Sequence, residues 1–193
     1  MNDLSNYHVF DNNRLRISLT NECNFNCPYC TNEGQKKEKK IQLNISWLEQ
    51  FAEKILKEKV YVRKVNLTGG EPLLYPKLLE AIRICRHFCD KVTVNTNGSL
   101  LTKDIIDKLY TAGIHNIKFG LDMVKDNPSK AGWVSGADSA AENWEKLIYT
   151  NKLMPRTSAN IVVSDFNIHN LSEIIDVVRD NGIGKVEFLE LIT

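Results

Sequence analysis

Cys23, Cys27 and Cys30 fall within eight residues, in the stretch Asn21-Glu22-Cys23-Asn24-Phe25-Asn26-Cys27-Pro28-Tyr29-Cys30. Thiolates are soft ligands that suit zinc or iron–sulfur clusters, and this spacing lets three of them converge from one loop onto one metal centre. A four-iron cubane normally takes four cysteines, so a set of three leaves one iron open to a ligand that is not protein. A structural zinc site closes with four ligands, and neither a histidine nor a fourth cysteine stands nearby in sequence. An electron-transfer ferredoxin would also bring four. Cys85 and Cys89 stand one turn apart on an amphipathic helical pattern with Ile82 and Phe88 and read as buried core thiols.

The elements that must position this loop follow from hydrophobic periodicity, which switches repeatedly between 2 and 3.6. Strand patterns occupy residues 15–20, 64–68, 91–95, 116–122, 158–163 and 185–191. Helical patterns occupy residues 46–59, 76–89, 102–112, 138–152 and 171–181. Ser46 and Thr102 stand where an N-cap belongs, and Gly113 and Gly182 where helices stop. Strands alternating with helices build a parallel sheet. The cysteine loop follows the first strand, the end at which parallel α/β folds place their sites.

One face of the sheet is apolar and the other polar in strand after strand. Leu15, Ile17 and Leu19 alternate with Arg16, Ser18 and Thr20, and Ile117, Phe119 and Leu121 with Lys118, Gly120 and Asp122. A sheet covered by helices on both faces reads instead as continuous apolar runs. The alternation predicts a curled sheet whose convex side takes the helices and whose concave side lines a polar lumen. The fold class is therefore α/β, a partial barrel of parallel strands. Residues 1–193 read as one core domain, with 1–13 as an N-terminal extension.

The cysteine spacing, with an aromatic directly before Cys30, resembles the radical S-adenosylmethionine (SAM) superfamily. The likeness continues at Thr68-Gly69-Gly70-Glu71-Pro72 after the second strand and at Asn95-Thr96-Asn97-Gly98 after the third. It implies a (β/α)6 partial barrel in which Cys23, Cys27 and Cys30 hold a 4Fe–4S cluster and SAM chelates the open iron. Gly69, Gly70 and Glu71 match the motif that receives the methionine ammonium. Two glycines let backbone approach closely, and a carboxylate nearby favours a cation. Tyr29 and Ile192 match positions beside the adenine, and Asn97 lies in a region facing SAM or substrate, although Asn-Gly is equally a turn pair. Reductive cleavage of SAM to a 5′-deoxyadenosyl radical, which takes hydrogen from a substrate in the lumen, is the implied activity.

Within the superfamily the pattern resembles the core of the GTP 3′,8-cyclase branch of molybdenum-cofactor biosynthesis, without its C-terminal second-cluster domain. The chain departs from that branch at Asn66, Gly120 and Ser158, where a basic residue, a serine and a lysine are expected. Candidate substrate contacts are the lumen-facing Arg16, Lys118, Asp122 and Asn160, although any one of them reads more readily as a lumen-filling hydrogen-bond partner. Glu187 and Glu190 fall on opposite faces of the last strand, and sequence does not say which points inward. Trp133 and Trp144 flank a polar loop after the fourth strand, which reads either as a cover for substrate or as a variable surface connection.

A formal charge of +1 over 193 residues gives no general pull toward nucleic acid or anionic membrane. The basic run 36–40 reads as a solvated loop. No stretch approaches the ~20 apolar residues that span a bilayer, and the N-terminus carries no signal pattern. These features, with five cysteines that cannot all pair, point to a reducing cytoplasm. Expected partners are a small-molecule or peptide substrate, an electron donor of flavodoxin or ferredoxin type, and a partner, dimer contact or further domain covering the barrel edge. The alternative readings are a non-catalytic iron–sulfur or zinc-binding module and the core of a longer enzyme.

Overall fold

The computed structural model describes residues 6–9, 12–25, 27, 30, 39–121, 140–164 and 167–190. Six strands form one sheet, β1 (Arg14–Ser18), β2 (Val62–Thr68), β3 (Cys89–Thr96), β4 (Asn116–Gly120), β5 (Ser158–Val163) and β6 (Val186–Glu190). They lie in sequence order, every neighbouring pair parallel. A doubly wound sheet reverses its order at a switch point, whereas unbroken order winds the sheet one way, as in a barrel. Here β1 and β6 remain unpaired edges among the described residues, so the barrel is partial.

Among the described residues five α-helices connect the strands, α1 (Ile45–Lys57), α2 (Leu78–Phe88), α3 (Lys103–Thr111), α4 (Ala140–Leu153) and α5 (Leu171–Asp180). In α1 the buried face is Ile45, Leu48 and Ala52, at helical spacing. Its N-cap is Asn44, whose side chain accepts from the Ser46 N–H, and not Ser46, which lies within the first turn. Asn44 wins because its short amide reaches two residues ahead and satisfies an orphan donor. Thr102 caps α3 as expected, accepting from Ile105 N–H at 3.2 Å. Gly113 and Gly182 follow α3 and α5 with φ of 93° and 64°, a conformation that ends a helix cheaply only in glycine.

Strand alternation becomes burial. Val65, Leu67, Val92, Val94, Ile117, Phe119 and Ile161 are sealed beneath the helices, each such side chain contributing ~1.5–3 kcal/mol. Lys64, Asn66, Lys91, Asn95, Lys118 and Asn160 are only half-buried on the other face. Thr93 departs from this pattern. It is buried on the lumen side, because its hydroxyl donates to Asn116 Oδ1 at 2.7 Å and the Asn116 amide donates to the Arg156 carbonyl at 3.0 Å.

Cys85 and Cys89 are both buried, but only Cys85 is helical; Cys89 opens β3. Burial pushes both thiols up, Cys89 to about 11, so they stay protonated and pack. No described helix is long and apolar enough to cross a membrane.

Candidate functional site

The carboxyl ends of β1, β2 and β3 meet at one end of the sheet. Leaving β1, the chain crosses directly over the loop that follows β2. Gly70 N–H donates to the Thr20 carbonyl and Glu71 N–H to the Glu22 carbonyl, both at 2.7 Å. A β-carbon on Gly69 would stand 2.3 Å from the Thr20 carbonyl oxygen, and one on Gly70 only 1.9 Å from that of Glu22. Gly69 also adopts φ of 138°. The glycine pair is thus required by the approach of the cysteine loop's own backbone, before any ligand is considered.

A second strap holds the base of this loop. Thr20 bridges Gln42 in antiparallel fashion, Asn21 and Ile41 exchange bonds, and Lys40 pairs with Glu22 at 2.6 Å. The Lys40 ammonium, with Gln42, holds the Glu22 carboxyl below its usual range. Of the basic run, therefore, Lys40 is engaged in positioning the loop, while residues 36–38 lie outside the described ones.

Glu71 is almost sealed, 1% exposed. Its carboxylate accepts from Leu73 N–H (3.0 Å), Thr96 hydroxyl (2.7 Å) and Asn97 N–H (2.8 Å). Burial pushes the carboxyl up, and the three donors oppose it. The side chain therefore clamps the β2 loop to the β3 loop, and any ligand at this point meets mainly backbone.

Cys23, Cys27 and Cys30 are reduced, half-buried thiols in the loop after β1, and the Cys30 N–H donates to the Cys27 carbonyl at 3.0 Å. Burial pushes the Cys23 thiol up, aided by Glu71 and Cys30 and opposed by the N–H of Phe25. Among the described residues no three His, Cys, Asp or Glu side chains close into a ligand set. Thiols have no attraction that would gather them at a point; a cationic metal core supplies it, with loss of the thiol protons. The donor set itself, three thiols on one loop with no described fourth ligand closing it, fits an iron–sulfur cluster with one open iron.

The wall below the mouth carries the remaining candidates. Arg16 on β1 is exposed beside Asn66, and Asn160 stands in register with Gly120 and Glu187. Lys118 is not free for a ligand: it pairs with Glu187, which Lys185 also grips at 2.5 Å. Glu187 is thus the glutamate that turns inward. Burial works to raise its carboxyl, but the two lysines outweigh it and hold it at about 2. Lys64, on the same wall, is pushed down to about 8 by burial and by Lys118 and Lys185. The side-chain oxygens of Asn66 and Asn95 are buried without a donor. Tyr29, Asp122, Ile192 and Trp133 lie outside the described residues, and Trp144 is buried on α4.

The structure brings Cys23, Gly69, Gly70, Glu71 and Asn97 together and leaves Arg16, Lys118 and Asn160 along the wall. Asn24, Ser99 and Lys64 join the site without having been singled out as candidates, and Glu187 joins it as one of the two glutamates of the last strand between which the sequence did not choose. For Glu187 and Lys64 the signal was strand alternation; for Asn24 and Ser99 it was adjacency to a cysteine and to the Asn-Gly turn. A cavity of about 640 Å³ lies elsewhere, between the N-terminal segment and the starts of β2 and β3, lined by Tyr7, Leu56, Tyr61, His87 and Phe88 among others. It is at the opposite end of the strands from the cysteine loop.

The profile of the Radical SAM superfamily matches residues 17–178. A probable GTP 3′,8-cyclase of Thermococcus kodakarensis is 33% identical over 169 residues, covering 87% of this chain and 53% of that protein. The PqqA peptide cyclase of Gluconobacter oxydans is 30% identical over 178 residues, covering 90% and 48%. The chain thus spans about half the length of the curated relatives it matches. Streptococcus suis SuiB bound to S-adenosylmethionine shares the fold with a TM-score of 0.76 at 18% identity, over 93% of this chain and 41% of that one. Native anSMEcpe with bound AdoMet does so at 0.71 and 15%, over 93% and 51%. Members of the matching family bind a 4Fe–4S cluster and SAM. A profile that runs from β1 into α5, over a sheet wound the same way as in SAM-bound structures, decides the matter: the chain belongs to the radical SAM superfamily.

Proposed function

We propose that this chain is the radical-generating core of an enzyme that reductively cleaves SAM and removes hydrogen from a substrate held in the barrel lumen. Cys23, Cys27 and Cys30 would hold the cluster; Gly69 and Gly70 would offer backbone to the methionine end of SAM; Tyr29 and Ile192 would border its adenine. When bound, the reduced cluster supplies the electron that breaks the sulfonium carbon–sulfur bond, giving methionine and a 5′-deoxyadenosyl radical. Glu71 does its part indirectly, holding the Asn97 loop against the mouth. The observation that carries this reading is the Gly70–Glu22 crossing, which locks the three-thiol loop and the Gly-Gly-Glu loop into one unit.

The lumen wall favours a polar substrate bearing an anionic group. Lys64, Lys118 and Lys185 face one carboxylate, that of Glu187. The buried acceptors of Asn66 and Asn95 suit a ligand with hydroxyl or amine donors. Arg16, Asp122 and Asn160 complete the proposed substrate contacts. Relatives named for GTP and for a peptide mark the classes to screen. We place the protein in the cytoplasm, with a flavodoxin or ferredoxin as electron donor and further protein covering the β6 edge, where Phe188 and Leu189 are exposed.

Anaerobic reconstitution with iron and sulfide, followed by SAM and dithionite, tests the reading. Production of 5′-deoxyadenosine and methionine is expected. A fully loaded protein that forms neither overturns it.

A further inference from the structure

Three polar side chains close a ring beside the cysteine loop. Asn97 Nδ2 donates to Asn24 Oδ1 at 3.0 Å, Asn24 Nδ2 donates to Ser99 Oγ at 2.8 Å, and Ser99 Oγ donates to Asn97 Oδ1 at 2.7 Å. The Ser99 N–H adds a second donor to Asn97 Oδ1 at 3.0 Å. This ring fixes what an asparagine side chain ordinarily leaves ambiguous. An oxygen that accepts two donors from Ser99 must be the oxygen, so the nitrogen of Asn97 faces Asn24 and the cysteine loop.

That nitrogen has two hydrogens. One goes to Asn24, and the other faces Cys23 Sγ, 3.9 Å away. The Phe25 N–H approaches the same sulfur at 3.4 Å. The amide is also immobilised from behind: Glu71 holds the Asn97 N–H, Thr96 Oγ1 accepts the Gly98 N–H, and Lys146 reaches the carbonyls of Gly98 and Ser99. So many restraints on one side chain and the backbone that carries it are unneeded for a turn alone. They aim a dipole.

We propose that Asn97 is a positioning residue that sets the reduction potential of the cluster through the Cys23 sulfur, with Asn24 and Ser99 holding its amide in the donating orientation. The inference rests on the reading that Cys23 is a cluster ligand. One-electron reduction adds negative charge that reaches the thiolate sulfurs. An N–H aimed at one of them stabilises the reduced form more than the oxidised form and raises the potential.

The 193-residue chain, reconstituted anaerobically, is titrated with dithionite and followed by the EPR signal of the reduced cluster. Asn97→Ala is expected to lower the equilibrium constant for reduction by about tenfold, a fall of ~59 mV for one electron, at unchanged iron per chain. Ser99→Ala, which keeps the Asn97 amide and the Ser99 N–H that still orients its oxygen, should shift it far less. An Asn97→Ala potential equal to wild type at equal iron overturns the inference, as does a Ser99→Ala shift as large as that of Asn97→Ala, which would assign the effect to loop packing. If Asn97→Ala holds no iron, wild-type protein labelled with 15N at asparagine side-chain amides decides. A nitrogen coupling to the reduced cluster in pulsed EPR supports the proposal, and its absence overturns it. Failure of wild type to load any cluster would instead sink the assignment of the cysteine loop.

Discussion

Gly70 lies directly beneath Glu22, so close that a β-carbon on Gly70 would stand 1.9 Å from the Glu22 carbonyl oxygen. The obstacle is backbone, one residue before Cys23, and cannot rotate aside. The glycine pair that reads as a ligand cradle is therefore also the seat on which the cysteine loop rests.

Gly70→Ala should accordingly displace the loop. We expect a loss of stability on the order of 1–3 kcal/mol from the forced backbone shift, with iron uptake falling well below that of wild type. Thermal unfolding and iron per chain after reconstitution measure the two effects.

Cysteines in the loop and in the core should separate cleanly. Cys23→Ala removes a half-buried thiol, so its fold should persist while cluster loading and deoxyadenosine formation are lost. Cys85→Ala removes a fully buried one, costing about 1–2 kcal/mol through the cavity left behind and leaving iron content unchanged. Denaturant titration alongside iron analysis of both variants checks this contrast.

The Glu187 carboxyl is held at about 2, below its ordinary value of 4.5. A depressed carboxyl contributes stability that is present above the unfolded pKa and lost as pH falls through the folded one. The advantage of wild type over Glu187→Gln should therefore be constant above pH 4.5 and shrink toward pH 2. With solvent screening its size is on the order of 1–2 kcal/mol. Denaturation of both proteins across that window reads it out.

Lys64 carries the opposite burden. Its folded pKa of about 8 lies below the ordinary 10.5, so its charged form is disfavoured by folding. Lys64→Met should stabilise the protein below pH 8 by about 1 kcal/mol after allowance for solvent, and this gain should vanish by pH 10.5. The same variant should weaken binding of an anionic substrate, a trade-off measurable by comparing stability with KM once a substrate is identified.

Local pattern alone determined much of this protein. The spacing of Cys23, Cys27 and Cys30, the Gly69-Gly70-Glu71 run and period-2 alternation in successive strands are all contained in short stretches of chain, and they specify a curled parallel sheet with a thiol loop at its mouth. Such features survive because side-chain period and ligand spacing are set by covalent geometry. Only the tertiary structure decided which glutamate of β6 turns inward, since Lys118 and Glu187 are 69 residues apart and meet only through β5. A register shifted by one residue would have reversed the choice. It also decided that the Glu71 carboxylate is consumed by Leu73, Thr96 and Asn97, and that Asn24, Asn97 and Ser99 close a ring. Hydrogen bonds between separate loops depend on where the strands deliver those loops, which no local window of sequence contains.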